Sequence, residues 1–366
     1  MTRLRNALSD LADEAPPVSL VDAAIAGHRR KRRAMLAVAT VATIAALVAT
    51  TAGAVVIWPR GGQPATPQRV DTVPDLPDGK VEAIDRAYQT RCKVNEEPRI
   101  IDCSAVEWRV VTRSGKTYRV PQAVVATRKV LRVPVAISRD GRMLAYYSRK
   151  AQAHVVRDLV SGAEVTSPVT VTEDRMGPGP LLAVSEDGRY VAFDPREGSK
   201  EPGMLIDMRT GKTVSIPGKY EVISIKDGAA ELIRYVKTDL WLMPVTGGGK
   251  PVRFDGTFIM FSELSPDGRT VTAVEFSELK KRTLTLLDAK TGRILRKLPI
   301  RGLPKDGFIG GTTTWRSRSE LTIVVESKKN LYTYTVDVTT GQARRSAEYD
   351  NRNTQTLVLP GVSYSW

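Results

Sequence analysis

Few residues in this chain are equipped for acid–base or metal chemistry. Its 366 residues include two histidines, His28 and His154, and two cysteines, Cys92 and Cys103. A Ser-His-Asp arrangement beyond the first segment would have to use His154, and no G-x-S-x-G elbow accompanies it. No H-E-x-x-H occurs, and no His/Cys group has zinc spacing. Gly247-Gly248-Gly249-Lys250 departs from a phosphate loop: Pro251 stands where Ser or Thr should follow, and Pro244 replaces the first glycine. It reads as a turn. Glu231 and Glu263 fall in expected strands, but no carboxylate pair can be placed at the separation that general acid–base work needs. The expectation is a non-catalytic chain with no metal and no cofactor.

The aspartates form two repeated signals. The first is Asp-Gly between short apolar runs, with glycines at Gly141, Gly188, Gly228 and Gly268, spaced 47, 40 and 40. Glycine there tolerates positive φ, so each copy reads as a hairpin. The second is Asp-x-x-Ser/Thr-Gly, at Asp158, Asp207, Asp288 and Asp337, with a degenerate copy at 243–247. Such an aspartate accepts hydrogen bonds from backbone two residues on, so a structural task is expected, not catalysis. A period of 40–50 residues with four strands per unit is the mark of a β-propeller. Six blades are counted, at 82–125, 130–172, 178–218, 220–256, 258–302 and 308–349, with 354–359 as a closing strand for the first. Seven remains the alternative, because 122–133 is unassigned.

The Ser-x-Asp-Gly-Arg hairpins at 138–146, 185–193 and 265–273 resemble the WD40-like repeat of TolB-type propellers, and Leu240-Trp241-Leu242-Met243-Pro244 is similar to a third blade strand. The resemblance covers about residues 130–345 and implies an all-β propeller fold. TolB is soluble and periplasmic, so its role in translocation does not carry over to an anchored chain.

Anchoring is read from residues 34–58, an uncharged, mostly apolar run directly after Arg29-Arg30-Lys31-Arg32-Arg33. As a helix it would reach roughly 37 Å, enough to cross a hydrocarbon core of about 30 Å with some tilt. The five cations favour the cytoplasmic side, and Trp58 suits the interface. A secretory signal cleaved near Ala52-Gly53-Ala54 is one alternative, although its apolar core would be shorter. A buried helix of a soluble protein is another, but no polar face interrupts the run. The expected order is a cytoplasmic segment (1–33) with short helical patterns, a transmembrane helix (34–58), a Pro/Gly-rich spacer (59–80) and an extracytoplasmic propeller (81–366). This organisation resembles actinobacterial membrane-anchored propeller proteins.

That order places both cysteines where disulfides persist. A Cys92–Cys103 bridge would contribute roughly 3 kcal/mol on the chain-entropy model; two free thiols are the alternative. The formal charge is +15, of which the first 33 residues carry +3, leaving about +12 outside. The repeat order puts the loops between second and third strands on one face. They carry Arg149, Lys150, Arg196, Lys200, Lys280, Lys281, Arg282, Lys328 and Lys329, a candidate binding rim whose converging loops would focus a positive field. Partners expected are the lipid bilayer, through the anchor, and an unknown protein or anionic envelope ligand, with no nucleic acid. A carbohydrate- or wall-active hydrolase is one rival function. A signalling anchor whose cytoplasmic helix contacts a partner is the other.

The topology is checked by introducing single cysteines near Arg5 and near Lys80 and labelling intact cells with an impermeant thiol reagent. Labelling near Lys80 alone is expected; labelling near Arg5 contradicts the orientation.

Overall fold

The computed structural model describes residues 73–95, 100–197, 199–235, 237–328, 330–349 and 354–366. The expected cytoplasmic segment, the apolar run 34–58, most of the spacer and Lys329 lie outside the described residues. Among those described, no helix is long and apolar enough to cross a membrane.

Six four-stranded antiparallel sheets follow one another along the chain. Blade one combines Ile84–Thr90, Trp108–Thr112 and Thr117–Arg119 with Thr354–Val358 as its first, innermost strand. Blades two to five start at Ala136–Ile137, Leu181–Val184, Glu221–Lys226 and Phe258–Ile259, and blade six runs from Phe308–Trp315 to Ala343–Tyr349. The closing strand expected at 354–359 is present, and it pairs Val358 with Ala87 and Leu357 with Tyr88. Residues 75–79, the end of the expected spacer, dock on the first two blades. Leu76 is buried, and the Arg157 guanidinium donates to the Pro77 and Gly79 carbonyls.

The inner strands are buried on both faces, as in Met143–Ser148 and Glu221–Lys226, and their apolar side chains pack between neighbouring sheets. Six clusters result, one per junction. Tyr147, Phe193 and Met208 sit between blades two and three, for example, and Leu284, Trp315 and Ile323 between blades five and six. Burying each such side chain stabilises the fold by roughly 1.5–3 kcal/mol.

The repeat signals explain how each blade is fastened at one end. In blade two, Asp140 Oδ1 accepts from the Ser138 hydroxyl and the Arg142 N–H, and the Ser138 oxygen accepts from the Met143 N–H. Blades three and five repeat this with Ser185–Asp187 and Ser265–Asp267. The second aspartate caps its own turn: Asp158 Oδ1 accepts from the Val160 and Ser161 N–H groups, and Asp207, Asp288 and Asp337 do the same. The two signals also meet. Strand pairing sets Met143 opposite Asp158, so Arg142 lies against that carboxylate at 2.5 Å. Arg189–Asp207 and Arg269–Asp288 form the equivalent pairs, both at 2.9 Å. These arginine pairs hold each carboxylate below its usual range; for Asp288 burial is the largest single influence and opposes the lowering, but the hydrogen bonds from Arg269 and the turn N–H groups together outweigh it.

Gly141 and Gly268 separate two roles of the turn glycine. Both have positive φ, 75° and 67°. A Cβ at Gly141 would run into the Ile84 carbonyl oxygen, whereas one at Gly268 meets open space. Gly268→Val is therefore expected to lose about 1–3 kcal/mol through backbone strain, and Gly141→Val more, because it also forces blades one and two apart. Urea unfolding of the two variants checks the order; equal losses would contradict it.

Candidate functional site

A propeller offers three places for a ligand: the central channel and the two faces. Here the channel is filled by the chain itself. Beyond Thr354–Val358 the segment 359–366 turns back and runs inside the ring. The Gly361 N–H donates to the Ile137 carbonyl, the Ser363 N–H to that of Ile223 and the Ser363 hydroxyl to that of Val222. Leu357 and Trp366 exchange backbone hydrogen bonds, and the Trp366 indole N–H donates to the Gly310 carbonyl. The Tyr364 and Tyr235 hydroxyls lie 2.7 Å apart. The space between Ala136, Ile137, Ala183, Val184, Gly361 and Val362 has no room for a water molecule. Nothing in the sequence pattern distinguishes this segment from a frayed tail, because its partners are main-chain groups from several blades.

One face, here the turn face, carries the hairpins built on the repeat signals. At its centre Arg139 of blade two reaches across the ring to Glu263 of blade five at 2.9 Å and also donates to the Trp315 carbonyl. Glu263 follows the strand Phe258–Ile259; it is not within it, and it is buried. Its Oε1 also accepts from the Trp315 N–H. Burial raises its carboxyl against the opposing pull of Lys226 and Arg139. Glu231 is buried as well, accepting from Ser224 and from the Leu264 N–H, and burial pushes it up to about 7. Both glutamates are thus engaged in internal hydrogen bonds. His154 is fully enclosed between Tyr147 and Phe193, and desolvation lowers it to about 4, so it stays neutral.

The opposite face, the loop face, carries the connections between second and third strands, which are the loops expected to form the rim. Lys150, Lys200, Lys280 and Lys328 are exposed there, and none is in an ion pair among the described residues. Arg196 is exposed too. Arg149 pairs with Glu173 at 2.5 Å and Lys281 with Glu278 at 3.2 Å, while Arg282 is half-buried and donates to the Lys305 carbonyl. These residues lie in loops of blades two, three, five and six. The cations of the turn face differ, since Arg142, Arg189 and Arg269 are committed to aspartates of their own blades.

The loop face has one cleft that sequence reasoning missed. It encloses about 810 Å³ between blades one and two and is lined by Cys103, Ser104, Val106, residues 121–126 and Ser148, Arg149 and Lys150. One wall is the stretch left unassigned in the sequence. Near the other stands a hairpin, Lys93–Asn95 and Ile100–Asp102, stapled at its base by the Cys92–Cys103 disulfide. Val94 and Ile101 of this hairpin are 56% and 61% exposed, and Leu131 is 81% exposed. A second apolar spot is Phe276, 59% exposed, in the short 3-10 helix Phe276–Lys281 that contacts the first strand of blade six. Among the described residues no group of three or more His, Cys, Asp or Glu side chains forms a ready metal centre.

No protein-family model and no curated protein matches the sequence. Similar solved structures include TolB from Acinetobacter baumannii, at 14% identity and TM-score 0.49, covering 75% of this chain and 66% of that one. A nidogen/laminin complex matches at 8% identity and TM-score 0.44, covering 76% of this chain and 98% of that one. A functionally unknown protein from Desulfotomaculum acetoxidans matches at 12% identity and TM-score 0.43, covering 73% and 80%. The chain spans just under two thirds of the TolB structure's length. The assignment to the six-bladed propellers rests on the sheet order described above.

Proposed function

We propose that the chain is a membrane-anchored, extracytoplasmic, non-catalytic binding scaffold whose loop face takes a protein partner or an anionic envelope ligand. The observation that carries this reading is the unequal use of cations on the two faces. On the turn face the repeated arginines neutralise aspartates of their own blades, and Lys212, Lys290 and Arg293 stand exposed beside them. On the loop face Lys150, Lys200, Lys280 and Lys328 stand exposed without ion pairs among the described residues. With the channel filled, a partner has only the faces to use. Exposed lysines spread over several blades suit an extended anionic surface better than a small molecule. The cleft beside the disulfide hairpin adds apolar area, through Val94 and Ile101, next to Arg149 and Lys150. The anchoring part of the proposal rests on the apolar run 34–58 and its flanking cations. The non-catalytic part is supported by the enclosure of His154, Glu231 and Glu263.

The experiment is a binding titration against a purified anionic envelope polymer at rising salt. Exposed charges are screened over about 8 Å at physiological ionic strength, so affinity is expected to fall steeply. Replacing Lys150, Lys280, Lys281 and Lys328 together by Ser should weaken binding at least about tenfold while leaving the melting temperature within a few degrees, since loop tips tolerate change. The control replaces Lys212, Lys290 and Arg293, exposed on the turn face, and leaves the Arg–Asp pairs intact. Equal losses in both variants would mean diffuse charge with no preferred face. Absence of binding at low salt would overturn the polyanion reading and leave a protein partner.

A further inference from the structure

The protein has 55 Lys and Arg against 40 Asp and Glu, and its buried carboxylates are nearly all answered. Asp207, Asp239, Glu263 and Asp288 each meet an arginine, and both oxygens of Glu231 accept hydrogen bonds. Two carboxylates are exceptions. Asp194 ends the second strand of blade three, and Glu221 begins the first strand of blade four. These strand ends sit on the loop face beside the channel, where the two blades contact one another. Asp194 is 1% exposed and Glu221 7% exposed. Asp194 Oδ1 accepts from the Arg196 N–H, but its Oδ2 and Glu221 Oε2 have no hydrogen-bond partner. Neither residue is in an ion pair among the described residues. The charges each feels most are those of the other acids, Glu197 for both, Asp194 for Glu221 and Glu201 for Asp194, and no Lys or Arg opposes them.

Orphaned buried oxygens of this kind are destabilising, more so when charged. Burial raises both carboxyls, Asp194 to about 6, so at neutral pH the pair either holds a proton or takes a countercharge from outside the chain. We infer that Asp194 and Glu221 form a cation site at the channel mouth between blades three and four, filled by a hard divalent ion of the calcium class. The donors are all oxygens, which such ions prefer at six to eight positions. Both carboxylates are enclosed, which favours a small ion over a partner's long side chain. Two protein carboxylates leave the remaining positions to water and to backbone carbonyls, which accords with the lack of a closed cage of three such side chains. Occupancy would tie blade three to blade four beside Tyr235 and Tyr364, the hydroxyl pair through which the closing segment meets blade four. Asp194 adjoins the loop that carries Arg196 and Lys200, but the two carboxylates are buried where those cations are exposed, so the site does not depend on what the cations bind.

The test uses the full chain in non-ionic detergent at pH 7.5, stripped with chelator and then titrated with CaCl2, MgCl2 or KCl. Millimolar Ca²⁺ is expected to raise the melting temperature by about 3 °C or more, as binding to the native state alone requires, and KCl at equal ionic strength is not. Asp194→Asn and Glu221→Gln, near-isosteric and uncharged, should lose that rise and melt higher than the stripped wild type. Terbium luminescence sensitised through Tyr235 and Tyr364 gives a second readout on the unmodified chain, and Ca²⁺ should quench it by competition. A wild-type chain indifferent to Ca²⁺ in both assays overturns the proposal. So does an equal rise in the two variants, or stabilisation by acid in place of any cation, which would make protons the countercharge.

Discussion

Ring closure by Thr354–Val358 is the constraint on which the rest depends. Each blade buries one face against the next, so a linear array would leave two sheets half-covered and two edges unpaired. Placing a strand from residues 354–358 beside Ile84–Thr90 removes both problems in one step. It also joins segments far apart in the chain, and the entropic cost of that loop grows only slowly with its length. Once closure is fixed, the path of residues 359–366 follows. They leave the innermost strand of blade one at the turn face and have the channel before them. Leu359, Val362 and Ser363 are then buried, and the backbone finds partners on the innermost strands.

Blade number and hairpin positions were legible in the sequence because their determinants are local. A serine, an aspartate and a glycine within four residues specify a turn through side-chain-to-backbone hydrogen bonds, and the glycine's positive φ needs no distant contact. The closing strand was legible from its alternation. The arginine of each Ser-x-Asp-Gly-Arg turn was legible as a surface charge but not as a partner of the second aspartate. That pairing needs the strand register, Tyr190 opposite Asp207 and Thr270 opposite Asp288. The channel filling and the Asp194–Glu221 pair could not be read, since each is a juxtaposition of different blades. Residues 122–133 carry no repeat signal because they bridge blades and line a cleft instead of forming a strand. The loops carrying the expected rim do join second to third strands, but the sequence did not separate the lysines without ion pairs from Arg149, Lys281 and Arg282, which have partners of their own.

These packing facts bear on function through elimination of space. The channel is filled, and His154, Glu231 and Glu263 are enclosed or bonded internally. The turn face is largely occupied with holding blades together. Its arginines stabilise buried aspartates, and removing one partner of such a pair leaves an uncompensated charge. The loop face carries exposed lysines, the disulfide-stapled hairpin and the cleft. Under the proposed function, fold maintenance and ligand contact fall at opposite ends of the same strands.

The central claim is that residues 359–366 are an integral part of the ring and occupy its channel. Amide hydrogen exchange tests it most directly. The N–H groups of Leu357, Gly361, Ser363 and Trp366 donate to main-chain carbonyls inside the ring, so they should exchange as slowly as the buried strand amides of Val191 and Ile323, through global unfolding only. Exchange of these four amides within seconds, with the blade strands still protected, would contradict the account and reopen the channel as a binding site.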